Sequence, residues 1–255
     1  QKDFAIELKA FHESSELCFI IVGVWLDENK LVIYNGDLTG RIVPVNADLW
    51  NEDELREVIQ KGEDFLNIRF KESFTSEAIK ASSGNVYIVQ ETCHRACNES
   101  GIHKTVVGER RLVGDGLNAR SLVAEIIQEQ SGRYNAFITN YASGFQETAL
   151  AMHKWLLYPI LTSSIEELSK GLTYRSIRSK ITSGHPQGKN LNPGNITQAL
   201  KAVSSLQLSK SIQPIILDYD ESNLTLHIVD KGFLIWLSMQ DRNELLSTVG
   251  LPEMT

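Results

Sequence analysis

Four sets of residues in this 255-residue sequence carry side chains of the kinds that do chemistry. Cys93 and Cys97, with His94 beside the first, lie four residues apart, which brings both thiols to one face of a helix and could begin a metal site. Zinc asks for four ligands. The sequence has no second cysteine pair and no close histidine pair, so the spacing favours core cysteines on a helix and no metal is expected. Gly188 and Lys189 form a glycine-lysine pair, but a phosphate loop of the form G-x-x-x-x-G-K-[ST] would need glycine where Ser183 stands and a hydroxyl where Asn190 stands. Arg41 follows a glycine-containing loop at 35–40. Its planar, permanently charged fork suits a phosphate on a neighbouring subunit, the arginine-finger role; an exposed loop arginine without function fits the same position.

The fourth set is the basic stretch at 158–212, net +5. Within it Arg178, Lys180, Lys189, Asn195, Thr197, Gln198 and Lys201 are candidates for DNA contact. On a helix opened by Asn192 and Pro193, the polar residues 195, 197, 198 and 201 and Ser204 lie away from the apolar stripe Ile196, Ala199, Leu200 and Val203. That is where a recognition helix presents side chains to a major groove and to phosphates, although a solvated helix face reads the same way. Asp218, Asp220 and Glu221, in the hairpin that follows, would be repelled by phosphates. Contact through the helix and not the hairpin is therefore expected.

The elements that must position these residues are read from apolar spacing. Phe4, Ala5, Leu8 and Phe11 predict one buried helix face, and the run FIIVGVW from Phe19 to Trp25 predicts a strand buried on both faces. Ile42 to Val45 is a second expected strand, and Asn51 with Glu54 is a capping box opening a helix that carries Leu55, Val58 and Ile59. Gly84 closes a short helix; Val86, Val89, Cys93, Ala96 and Cys97 stripe the next. The glycine-containing stretch 101–120 reads as a linker or exposed loop, with helical patterns resuming at 121–130 and 147–161. Ile165, Leu168, Leu172, Ile177 and Ile181 predict one helix running through Gly171. A loop, the helix from Asn192, and two strands flanking the turn at 220–223 complete a helix, helix, hairpin order, that of a winged helix-turn-helix.

Composition bounds the answer. With 42% hydrophobic and 22% charged residues the chain can bury a core, which excludes disorder and collagen-like repeats. No apolar run approaches the roughly 20 residues of a membrane-spanning helix, so no membrane partner is expected, and three cysteines without a disulfide framework favour a reducing, cytoplasmic setting. The net charge of −7 argues against DNA only as an average, because residues 1–100 carry −8 and the basic stretch +5.

Taken in order, KDFAIELKAFHE, FIIVGVW, GDLTGRIVPVNADLWNEDELREVI and SGNVYIVQETCHRAC resemble the later part of an AAA+ ATPase module, in the branch holding origin-recognition, transposition-helper and STAND-like proteins. The resemblance covers residues 1–100, and a winged helix usually follows in that branch. It implies that Arg41 is the arginine finger, that Asp27 and Asn29 stand in the sensor 1 region, and that Gly84, Asn85, Val86 and Tyr87 match the lid's G-D-A-R stretch, with Tyr87 in place of the sensor 2 arginine. The Walker A and Walker B motifs would precede Gln1. By that resemblance the chain is a fragment of a longer ATPase that uses ATP and Mg²⁺, itself binding neither tightly and inactive alone.

The expected fold class is an α/β fragment, mostly α overall: a partial AAA+ core at 1–50, a helical lid at 51–100, a linker and helical connector at 101–145, and a winged-helix domain at 146–255. The expected function is an ATP-dependent switch that oligomerises through its ATPase core and uses the winged helix for double-stranded DNA or for intramolecular regulation. The alternative is a non-enzymatic winged-helix DNA-binding regulator with an oligomerisation module.

Overall fold

A computed structural model describes residues 2–14, 18–23, 35–45, 47, 50–146 and 148–254. Helix α1 (Lys2–Ser14) forms as its spacing predicts, but of its apolar residues Ala5 is buried while Phe4 and Phe11 stand exposed. Its described partner is a short 3-10 turn, Gly36–Leu38: Asn35 Nδ2 donates to the Ala5 carbonyl at 3.1 Å, Lys9 pairs with Asp37 at 2.6 Å, and Leu38 is buried. The two strands expected here do not form among the described residues. Phe19 to Gly23 and Ile42 to Val45 have no regular structure, and Ile20, Val22, Val43 and Val45 are more than four-fifths exposed. An extended segment becomes a strand only when its N–H and C=O groups meet a ladder partner, and none is supplied by the described residues.

From Asn51 onward local signals and packing agree. Asn51 Oδ1 accepts from Glu54 N–H and Glu54 Oε2 from Asn51 N–H, the reciprocal box that opens α2 (Glu52–Leu66). Asn67, in the left-handed region, turns the chain into β1 (Ile68–Phe70), followed by α3 (Glu72–Ala81) and α4 (Val86–Glu99), the latter capped by Asn85. Then comes β2 (Arg111–Val113), parallel to β1 with Ile68 opposite Arg111 and Phe70 opposite Val113. The stretch 101–120 is thus not a plain linker. Three residues, Arg111, Leu112 and Val113, without alternation are too few to register as a strand until the partner is in place.

Two cores result. Leu55, Ile59, Ile68, Phe74, Ala78, Val89, Ala96, Val113 and Leu122 make the first. The second is larger and gathers α6 (Ser131–Ala142), α7 (Met152–Thr162), α8 (Ile165–Lys170), β3 (Leu172–Thr173), α9 (Tyr174–Gly184), α10 (Pro193–Lys201), α11 (Val203–Ser209), β4 (Leu217–Asp220), β5 (Thr225–Ile228), α12 (Lys231–Ser238) and α13 (Arg242–Thr248). At its centre Tyr134, Phe137, Phe233 and Trp236 pack with ring centroids 5.3–5.5 Å apart, and Trp236 Nε1 donates to Ser131 Oγ. This core draws in Tyr134 to Tyr141, so it begins before residue 146. Helix α5 (Ala119–Glu129) serves both cores, giving Ala119 and Leu122 to the first and Val123 and Ile127 to the second. Arg95 of α4 grips its last residue, Glu129, with two bonds of 3.0 and 2.7 Å.

The helix expected through Gly171 is two helices. Ser164 and Glu167 form a second capping box at the start of α8, and Gly171, at φ 90°, ends it and starts β3. A side chain there would meet His227 Nδ1 and Thr225 Cγ2, both at 2.7 Å, so glycine is required by space as well as by φ. Strands β3, β5 and β4 form an antiparallel sheet in that order, with α9, α10 and α11 inserted between its first two strands in sequence.

Candidate functional site

The DNA-contact candidates fall on two helices of the second unit. Ile177 and Ile181 bury one side of α9, which leaves Arg175 and Arg178 exposed on the other. Lys180 is half-buried, its Nζ donating to the Thr162 carbonyl at the end of α7 at 3.2 Å, a structural bond that competes with any phosphate. Lys189 lies in the 3-10 turn Gly188–Asn190, and its side chain falls outside what is described.

On α10 the apolar face goes inward as its spacing predicts, with Ile196, Ala199, Leu200 and, on α11, Val203 all buried. Asn192 Oδ1 accepts from Gly194 N–H and Pro193 occupies the first turn, so local chemistry alone starts this helix. Asn195 and Thr197 are half-buried, Thr197 Oγ1 donating back to the Pro193 carbonyl, whereas Gln198 and Lys201 are exposed. Residues 195, 198 and 201, three apart, share one face.

The acidic hairpin leans on that face. Lys201 Nζ pairs with Glu221, and Ser204 Oγ donates to buried Asp218 Oδ1 at 3.0 Å. Asp220 is turned into its own loop: burial opposes its charge, but the N–H groups of Asn223 and Ser222 and the Asn223 amide hold its carboxyl below the usual range. Neighbouring His227, half-buried, is pushed below its ordinary value by burial, with Asp220 and Asp218 opposing.

The residues tied to nucleotide chemistry by resemblance scatter. Arg41 is exposed just after the 3-10 turn, its N–H donating to the Leu38 carbonyl at 3.0 Å; Asp27 and Asn29 lie outside the described residues. Tyr87 stands 56% exposed in the first turn of α4 and lines a cleft of about 430 Å³ with Trp50, Asn85, Arg133 and Lys231. Arg133, which no motif marks, is the cleft's held cation: it pairs with Asp230 at 2.7 Å, donates to the Pro214 carbonyl at 3.1 Å, and lies 5.2 Å from the Tyr134 ring centroid. Its sequence signal is nil, because Pro214 and Asp230, the groups that hold its guanidinium, are 81 or more residues away.

Among the described residues no three His, Cys, Asp or Glu side chains converge as metal ligands. Burial, then Cys97 and Glu63, pushes the Cys93 thiol up to about 12, and burial raises Cys97 too, so both stay protonated at neutral pH and sit in the first core. His94 points outward and meets Asn98 at 3.1 Å.

Among the described residues no helix is long and apolar enough to cross a membrane. In comparisons with known proteins, the chain matches no family model, no curated protein and no solved structure.

Proposed function

We propose that this chain is the C-terminal part of an ATP-dependent switch protein of the AAA+/STAND type, whose second unit is a winged helix that engages double-stranded DNA through α10. The observation that carries the reading is the β3-β5-β4 sheet with α9 and the consecutive helices α10 and α11 between its first two strands, a connectivity that suits a winged helix. Support for DNA as partner is the exposed set Arg175, Arg178, Gln198 and Lys201, polar and cationic on the face opposite the buried stripe. For the ATPase part, support is the order of the capped helix α2 and the helices α3 and α4, with Tyr87, which the resemblance sets at the second sensor, in the first turn of α4.

The described residues do not by themselves fit ATP and Mg²⁺: they bring together no acidic set for the ion, and the glycine-lysine pair lacks the rest of a phosphate loop. No nucleotide chemistry is assigned to the chain alone. In this reading the phosphate loop and Mg²⁺ ligands lie in sequence preceding Gln1, and Arg41 acts across a subunit interface in a cytoplasmic homo-oligomer. The exposed apolar side chains of Phe4, Ile6, Phe11, Ile20 and Val22 support a surface that another element covers, and they equally favour the alternative, a DNA-binding regulator with an oligomerisation module.

The experiment is duplex binding by the whole chain, followed by fluorescence anisotropy as salt is raised, with Arg178→Ala and Gln198→Ala beside the native protein. Binding that weakens with salt and with Arg178→Ala is expected; no binding at about 50 mM salt overturns the DNA role. For the ATPase role, the reading frame upstream of Gln1 should hold G-x-x-x-x-G-K-[ST] and an apolar strand ending in two acids. A start codon immediately before Gln1 sinks it.

A further inference from the structure

We propose that Glu221 is a built-in competitor for DNA phosphate, occupying Lys201 in the unbound protein and withdrawing when a duplex docks. This rests on the winged-helix reading of the second unit. Two carboxylates of the hairpin meet the helical face, and their contacts differ in kind. Asp218 is 5% exposed and accepts from Ser204, which anchors the base of the hairpin against α11. Glu221, in the four-residue turn between β4 and β5, reaches over that anchor to Lys201, the last residue of α10, in an ion pair whose side chains are 54% and 56% exposed. The anchor is partly buried, with Asp218 itself inside; the outer pair is solvated and opens at little cost, since exposed pairs of this kind contribute little to stability.

The other carboxylate of the turn cannot substitute for Glu221. Asp220 accepts from Ser222 N–H, Asn223 N–H and Asn223 Nδ2 at 2.7–3.0 Å, so it is spent on the turn itself. Glu221 alone is left to face the helix. A carboxylate on an exposed lysine at the edge of a polar helix face is placed as a backbone phosphate would be, and its charge repels that phosphate as well as screening the lysine. Removing the carboxylate both frees one cation and deletes one repulsion, so the native protein reads α10 with its strongest cation held back.

The test is duplex binding by the whole chain with Glu221→Gln, Lys201→Ala and the double variant, each over a series of salt concentrations. Glu221→Gln is expected to bind about fivefold to tenfold more tightly at roughly 0.1 M salt, with the log affinity against log salt slope steeper by about one. Lys201→Ala is expected to change native affinity by less than about twofold, yet to cancel the larger part of the gain when combined with Glu221→Gln, leaving only the share that comes from the deleted repulsion. Unchanged affinity in Glu221→Gln, while the native chain binds, overturns the competitor and leaves the DNA role standing. Loss of binding in Lys201→Ala alone as large as in Arg178→Ala overturns it as well, because Lys201 would then already be in use. Absence of duplex binding in every variant removes both.

Discussion

Gln207 holds Leu217 by both ends of one amide: its Nε2 donates to the Leu217 carbonyl at 2.7 Å and its Oε1 accepts from Leu217 N–H at 3.0 Å. The same oxygen accepts from Ile216 N–H at 2.7 Å, and Gln207 is fully buried. Because β4 is an edge of its sheet, the side chain does there what a neighbouring strand would do. Replacing it with leucine keeps the volume and leaves buried backbone groups unpaired. Gln207→Leu is expected to cost roughly 3 kcal/mol, read as a lower midpoint in urea denaturation.

Two glycines should respond in opposite directions. Gly171 has φ 90° and no room for a side chain against His227 and Thr225, so Gly171→Ala is expected to destabilise by about 2–3 kcal/mol. Gly132 lies exposed inside α6 with nothing within 4 Å of where a Cβ would stand, so Gly132→Ala is expected to stabilise by about 0.5–1 kcal/mol. Thermal melts of the two variants check both signs.

Stability should fall on mild acidification. Burial pushes His153 and His227 below the ordinary 6.5, and His153 Nδ1 is buried without a hydrogen-bond partner. The unfolded chain therefore takes up these protons near pH 6.5 while the folded one resists until lower pH, so stability present at neutral pH is lost as the pH drops below that value. A lower melting temperature at about pH 5.5 than at about pH 7.5 is expected, with His153→Phe/His227→Asn showing a shallower dependence. Equal slopes in native and double variant would assign the effect elsewhere.

Legibility in the sequence followed the range of the forces involved. Asn51 with Glu54, Asn192 with Pro193, and the stripe Ile196, Ala199, Leu200, Val203 were readable because each signal closes within about one or two helical turns. The parallel pairing of Ile68–Phe70 with Arg111–Val113 was not, since three residues acquire a strand's character only from a partner some forty positions away. Gly171 shows the same limit in reverse: its neighbours fit a helical stripe, and the φ that breaks it is imposed by the sheet it joins. At the candidate site, residue types and their side of the helix could be read, but not that Lys201 is already engaged by Glu221 or Lys180 by Thr162, because such pairings are made in three dimensions. The strands expected at 19–25, whose last two residues lie outside the described ones, and at 42–45 rest on composition and spacing alone, and among the described residues neither meets a ladder partner.

Helix α5 lends Ala119 and Leu122 to one core and Val123 and Ile127 to the other, with Arg95 clamping its end. A shared helix of this kind couples the two cores directly. The two cores should therefore melt in a single cooperative step, and a rotation imposed on α2–α4 passes through α5 to the helices packed in the second core.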